Sequence, residues 1–303
     1  MVDYDKTIAI KRSDDAGLDT LFDYNANDVE NKSTIEVCGN SSLIELLDEY
    51  KKGINDHYED YKFPRIIDEA TFTPDEISTF IQFIEPFHIK IKDKRITKEF
   101  IQRMVKKSYN EGYNNFNFST VGMGDEVISL SRIDASIDNP LNVNIVGNVG
   151  HDFGWKSKNI IINLKGNVGY YFGNTTHNLF ANIEGNVGNF FGFNSVNLIA
   201  SIKGNVKENF GTSSLRLAAK IHGNVNGSFG VNSDNLVAYI QGNFIGDSFH
   251  DSHHHKVLID GKLHNQPFSG VISYDHWGAI RMADYRSNKI SQEIIQTLEA
   301  RFK

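Results

Sequence analysis

The densest set of chemistry-bearing side chains is the run His250-Asp251-Ser252-His253-His254-His255, with His264 close behind. Imidazoles and a carboxylate are ligand types for zinc and other transition metals, which nominates His250, His253, His254 and His264 as metal ligands. Strand alternation works against that assignment. Neighbouring residues project to opposite faces, so His254 and His255 do not converge on one ion. The plainer expectation is a polar, irregular last turn. Further on, Asp275-His276-Trp277, with Tyr274, places an acid beside an imidazole as in a general base, but marks no nucleophile. Gly122-Met123-Gly124-Asp125-Glu126 is a glycine-rich turn with two acids, without the Lys-Ser/Thr of a phosphate loop. Cys38 has no assignable partner and reads as a structural thiol. Trp155, Tyr170, Tyr171 and Phe193 fall near turns of successive repeats and form a candidate sugar- or protein-binding patch. No catalytic residue and no cofactor is expected.

Composition narrows the classes further. The 303-residue chain carries a net charge of -7 and no block of Lys or Arg, so nucleic acid is not an expected partner. A single cysteine rules out an internal disulfide. The acidic start, Met1-Val2-Asp3-Tyr4-Asp5, lacks a basic-then-apolar leader. No apolar run approaches the ~20 residues that span a bilayer. The expectation is a cytoplasmic protein that binds a protein partner or itself, with a glycan as the other candidate ligand.

The element that must position all these groups is a repeat. Gly-Asn-Val recurs at Gly147, Gly166, Gly185, Gly204 and Gly223, Gly242-Asn243-Phe244 continues it, and Gly261 marks a weaker seventh turn, each interval being 19 residues. Two residues before each glycine stand Ile145, Leu164, Ile183, Ile202, Ile221, Ile240 and Ile259. Four before stand Val143, Ile162, Ala181, Ala200, Ala219, Ala238 and Val257. Six before stand Leu141, Ile160, Leu179, Leu198, Leu217, Leu236 and His255. Two after stand Val149, Val168, Val187, Val206, Val225, Phe244 and Leu263. Period-two alternation puts these columns on one face of a strand, with polar residues such as Asn163, Asn182, Lys165, Glu184 and Lys203 facing out. Further columns hold Phe153, Phe172, Phe191, Phe210 and Phe229 (then Phe249 and Phe268), the hydroxyls Ser157, Thr176, Ser195, Ser214, Ser233 and Ser252, and Asn148, Asn167, Asn186, Asn205, Asn224 and Asn243. One repeat cannot bury its apolar face alone. Coils stacked at ~4.8 Å spacing would bury one continuous core, pile the phenylalanines and set the asparagines in a potential amide ladder.

The glycines Gly147, Gly150 and Gly154, repeated as Gly166, Gly169 and Gly173 and as Gly185, Gly188 and Gly192, follow G-x-x-G-x-x-x-G. This spacing resembles the GXGXG-repeat β-helix superfamily, which includes the C-terminal domain of the glutamate synthase large chain and a component of formylmethanofuran dehydrogenase. The resemblance covers residues 141–270. It implies a right-handed parallel β-helix of about seven turns that carries no catalytic residues, and it raises the idea of a structural subunit of a redox complex. Lys207 replaces the middle glycine in the fourth copy, it slips to Gly227 in the fifth, and Asn178-Leu179 and Asn197-Leu198 stand where the family often has paired glycines.

The flanks complete the expected division: an acidic segment over residues 1–35, a mixed α/β or helical capping domain over 36–125, the mainly-β solenoid over 126–272, and a C-terminal cap over 273–303. Ser42-Leu43-Ile44-Glu45 and Thr73-Pro74-Asp75-Glu76 read as capping boxes. They lead apolar faces Leu43, Leu46, Leu47, Tyr50 and Ile77, Phe80, Ile81, Ile84. Phe100, Ile101, Met104 and Val105 mark another helix. Residues 88–92, Phe116-Asn117-Phe118 and residues 127–130 look like strands. Ile290, Ile294, Leu298 and Phe302 repeat every four residues, so a helix closes the chain. The flanks are expected to cap a rod whose open ends would otherwise aggregate. A non-catalytic scaffold or interaction module is the favoured reading, and a carbohydrate-binding or carbohydrate-active β-helix the alternative.

Overall fold

The structure, a computed structural model, describes residues 41–53, 61–88, 94–124, 128–247, 251, 256–259, 262–264 and 269–272. Among these described residues four helices come first: α1 (Ser41–Gly53), α2 (Ile66–Glu69), α3 (Pro74–His88) and α4 (Arg95–Asn110). Twelve strands follow: β1 (Asn115–Ser119), β2 (Leu141–Val146), β3 (Lys158–Lys165), β4 (His177–Ile183), β5 (Val196–Ile202), β6 (Leu215–Ile221), β7 (Val225–Asn226), β8 (Asp234–Ile240), β9 (Phe244–Asp247), β10 (Lys256–Ile259), β11 (Lys262–His264) and β12 (Ser269–Ile272).

Helix α3 forms where the sequence places its signal, whereas α1 already begins at Ser41, so Ser42 lies inside the helix and is not its cap. Helix α2 adds a short helix that neither capping box marks. Thr73 and Glu76 make a reciprocal cap: Glu76 Oε2 accepts the Thr73 N–H at 2.8 Å, and Thr73 Oγ1 accepts the Glu76 N–H at 3.3 Å. The expected apolar faces of α1, α3 and α4 are buried and continuous with the interior of the strands. Phe80, Phe100 and Tyr50 interlock, Tyr50 meeting the two phenylalanine rings edge-on at 5.5 and 5.3 Å. Helix α3 packs on β1, so it covers the first strand of the main sheet. Tyr109 of α4 fastens the helices to the first coil, its hydroxyl donating to Asn139 O at 2.8 Å and accepting from Ser136 N at 2.7 Å.

The main sheet runs β1-β2-β3-β4-β5-β6-β8-β10-β11, parallel from β1 through β10. About six coils of 19 residues stack as a parallel β-solenoid. Register follows the repeat: Ile145, Leu164, Ile183, Ile202, Ile221 and Ile240 form one file, and the Val/Ala and Leu/Ile files lie beside it. All are at most 2% exposed, so each buried valine, leucine or isoleucine contributes roughly 1.5–3 kcal/mol of transfer free energy. Across the interior, Val149, Val168, Val187, Val206 and Val225 bridge in series. The rings of Phe153, Phe172, Phe191, Phe210 and Phe229 pile at 4.9–5.4 Å, within 8° of parallel.

Polar columns hold the corners. Thr176, Ser195, Ser214 and Ser233 are buried and donate to the carbonyls of Gly173, Gly192, Gly211 and Gly230 at 2.5–2.7 Å, closing the turn after each phenylalanine. The lead glycines are required by close approach, since a Cβ on Gly185 would overlap the carbonyl of Gly166 one coil earlier. The asparagine column does form a ladder; an amide-to-amide bond of the expected kind joins Asn167 Nδ2 to Asn148 Oδ1 at 3.3 Å, but the pairing that repeats is a different one. Each Oδ1 accepts the backbone N–H of the next coil's asparagine, at 2.8 Å from Asn148 to Asn167 and on through Asn186, Asn205 and Asn224, and at 2.9 Å to Asn243.

Three local expectations change. Residues 128–130 form no strand, because Leu130 and then Arg132 adopt φ of 41° and 55°, outside the extended region. His88 ends α3, and residues 89–92 lie outside the described residues. The seventh turn does not continue the coil: β10 extends the stack, but β11 folds back antiparallel on it, pairing Leu263 with Leu258, and β12 pairs antiparallel with β9. Both sheets thus end on antiparallel strands. Residues 1–35, Cys38, the group around Asp275 and the helix over 290–302 lie outside the described residues.

Candidate functional site

Alternation sends every second residue of β3 to β8 outward. One of these outward files is polar throughout its first coils: Asn117, Asn144, Asn163 and Asn182, then Ser201 and Lys220. Its amides are linked, Asn144 Nδ2 donating to Asn117 Oδ1 and Asn163 Nδ2 to Asn144 Oδ1, each at 2.9 Å. The neighbouring outward file has the opposite character. Between Asn142 at one end and Lys256 at the other it reads Ile161, Phe180, Ile199, Ala218, Val237, in register over five coils. Stacking does not need apolar side chains here, since the adjacent file stacks on amides through Asn182 and then on Ser201 and Lys220.

A second column turns this stripe into a groove. Asn159, Asn178, Asn197, Arg216 and Asn235 enter the same strands with φ between 54° and 58°. Asparagine tolerates this left-handed geometry better than most residues, which accounts for its recurrence. The side chains bond along the rod: Asn159 Nδ2 donates to Ala135 O at 2.5 Å, Asn178 Nδ2 to Asn159 Oδ1 at 2.6 Å, Asn197 Nδ2 to Asn178 Oδ1 at 2.5 Å, and Arg216 Nε to Asn197 Oδ1. The resulting wall of amides flanks the apolar stripe. Ile137, 72% exposed, and Pro140 close the end nearest the helices. The groove encloses about 680 Å³. Among the described residues, its lining of aliphatic, phenylalanine, asparagine and arginine side chains supplies no carboxylate, imidazole, thiol or hydroxyl. Chemically it can bury an apolar ligand face and offer amide hydrogen bonds along one edge.

Two other depressions are more polar. One of about 390 Å³ lies between α3 and the amide file, lined by Ser78, Gln82, Asn117 and Asn144. Another of about 750 Å³ runs past the lead-glycine corner by Lys94, His151, Tyr170 and Lys207. The aromatic patch expected from the sequence divides into three sets. Tyr170 stacks on His151 at 4.8 Å, and Tyr171 stacks on Phe190 at 4.8 Å. Phe190 meets Phe193 edge-on at 5.9 Å, so Tyr171 and Phe193 are joined through a ring outside the expected patch. Trp155 carries cations on its ring, Arg132 at 4.6 Å and Lys156 at 4.7 Å. These rings largely stack on their own neighbours one coil away.

Of the metal candidates, His250, His253 and His254 lie outside the described residues, and His264 ends β11. Among the described residues no three His, Cys, Asp or Glu side chains gather as a metal site, and no helix is long and apolar enough to cross a membrane. The stripe was missed from sequence, although its signal is present: the position five before each lead glycine is apolar in five successive copies. The chain matches no family model, no curated protein and no solved structure.

Proposed function

We propose that this protein is a non-catalytic scaffold whose lateral groove receives an amphipathic helix of a protein partner. The observation that carries the reading is the in-register file Ile161, Phe180, Ile199, Ala218 and Val237 on the outward face of a sheet whose next outward file begins with amides and continues as Ser201, Lys220 and Tyr239. An apolar helix face laid in a groove is a common mode of peptide recognition, and the amide wall supplies polar edge contacts. Helix α3 on β1 agrees with this use, since it covers one end of the rod and leaves the side as a surface for interaction. The glycine spacing shared with the GXGXG-repeat superfamily supports an architectural role of the same kind.

A photo-crosslinking residue at position 199, compared with one at Asn186 on the exposed corner column, tests the reading in cells that make the protein. A partner captured only from position 199, and bound by the purified chain at least ~10-fold more tightly than by Ile199→Glu, is the expected result. Equal capture at both positions, or equal binding to Ile199→Glu, overturns it.

A further inference from the structure

We infer that the corner of the solenoid beside the lead glycines is a second binding site, for an acidic oligosaccharide lying along the rod. It shares no lining residue with the lateral groove, so either assignment can fail alone.

The asparagine ladder fixes the chemistry of this surface. A backbone N–H only donates, so the Oδ1 of Asn148, Asn167, Asn186 and Asn205 must face the main chain of the next coil. Each amide NH2 is the group left over. Asn167 spends one of its two N–H bonds on Asn148 Oδ1, at 3.3 Å. Asn186 and Asn205 are exposed and spend neither on another described residue. The result is a row of hydrogen-bond donors left for solvent, one per coil, at ~4.8 Å intervals.

The floor beside this row is bare. Gly169 and Gly188 follow the bridged Val168 and Val187, and a Cβ on either would come within 2.9 Å of the preceding coil's backbone. In the next coil the same place carries Lys207, and Lys94, the residue before α4, lines the depression as well. Neither ammonium is paired among the described residues. Glu184, two residues before Asn186, is taken up by Lys203 at 3.1 Å, and no carboxylate among the described residues lines the depression. Donors and cations without carboxylates favour an anion, whose hydrogen bonds to them are charge-assisted.

Spacing and charge density select the class. From Asn148 to Asn205 the row spans three coil intervals, ~14 Å. A pyranose unit is about as long as one interval, so a chain with one acidic group per sugar keeps step with the amides. Acidic side chains on one face of an extended peptide recur every ~6.7 Å and fall out of step. Nucleic acid carries its charge too densely for two lysines on a chain of net charge -7. Tyr170, 44% exposed and stacked on His151 at 4.8 Å, adds a flat ring on which the C–H face of a sugar packs.

Titration calorimetry of the full-length chain with oligogalacturonate tests the inference, with its methyl ester as the uncharged control. The acid is expected to bind, and the ester to bind ~10-fold more weakly or not at all. Asn186→Asp keeps the oxygen that the Asn205 N–H needs but turns the free donor into an anion, and should lower affinity ~10-fold. Lys207→Gly restores the glycine of the earlier coils and should lower affinity ~3-fold. Ser201→Asp adds the same charge as Asn186→Asp to the main sheet and should leave affinity within ~2-fold, since salt screens charges beyond ~8 Å. No binding of the acid, equal binding of the ester, or tighter binding of tripolyphosphate or an oligoglutamate peptide overturns the inference. So does full affinity in Asn186→Asp, or in Lys207→Gly should the first variant not fold.

Discussion

The ring of Phe191 lies 4.9 Å from that of Phe210, one coil along, with their planes 1° apart. On its other side Phe172 stacks at 5.1 Å. Each ring is thus sandwiched by copies of itself, and removing one opens a void that its neighbours cannot close without shifting a whole coil. Phe191→Ala is expected to destabilise the solenoid by about 3–5 kcal/mol, and Phe191→Leu by less. Denaturant unfolding followed by far-ultraviolet circular dichroism checks the order, and a Phe191→Ala midpoint within error of the parent would contradict the stacking account.

Asn178 bears two demands at once. Its φ is 58°, and its amide links Asn159 to Asn197. Asn178→Gly keeps the backbone free to stay left-handed but breaks the ladder, at about 1 kcal/mol. Asn178→Ala loses the ladder and adds backbone strain of about 1–2 kcal/mol. The glycine variant should therefore be the more stable of the two in thermal unfolding, contrary to the usual ranking in a strand.

The Thr73 and Glu76 cap starts the helix that covers β1. Thr73→Ala should cost about 1 kcal/mol, and Thr73→Ser much less. Because α3 shields the first strand, the alanine variant should also expose β1 amides to faster hydrogen exchange. Exchange at β1 unaltered by the substitution would separate the cap from that role.

Burial pushes the Tyr50 hydroxyl up from 10.0 to about 12, and its hydrogen bond to Thr97, 2.9 Å long, offsets only part of that. The folded state holds this proton to higher pH than the unfolded state does. Stability is therefore unaffected below pH 10 and lost as pH rises from 10 toward 12, by up to about 2–3 kcal/mol. Tyr50→Phe loses the Thr97 bond, about 1 kcal/mol at neutral pH, and should show a shallower alkaline decline. Identical slopes for parent and variant above pH 10 would rule Tyr50 out as the source.

The corner chemistry shows how far residue types carry a reading. The recurrence of asparagine after each lead glycine points to a ladder, yet the bond runs from side-chain oxygen to backbone N–H, which depends on where the next coil's main chain lies. Gly261 keeps the 19-residue phase, yet the strand after it reverses. A period records spacing along the chain and carries no information about its direction in space. Phe244 keeps its place opposite Val225 and meets Phe229, of the neighbouring column, edge-on at 6.4 Å.

By itself the sequence determined the solenoid, its coil length and its buried files, because strand alternation and a constant repeat are one-dimensional facts that dictate which side chains must touch once coils stack. The same holds for the apolar faces of α1, α3 and α4 and for the Thr73–Glu76 cap, which are local. Only the tertiary structure decided that Ile161, Phe180 and Ile199 form the floor of a groove with Asn159, Asn178 and Asn197 as its wall. That wall exists because residues in a left-handed conformation turn their amides along the rod, and its end is closed by Ile137 from a loop outside the repeat. A surface made by juxtaposing separate columns depends on the angle at which the chain enters each strand, and that angle is set by the packing of whole coils.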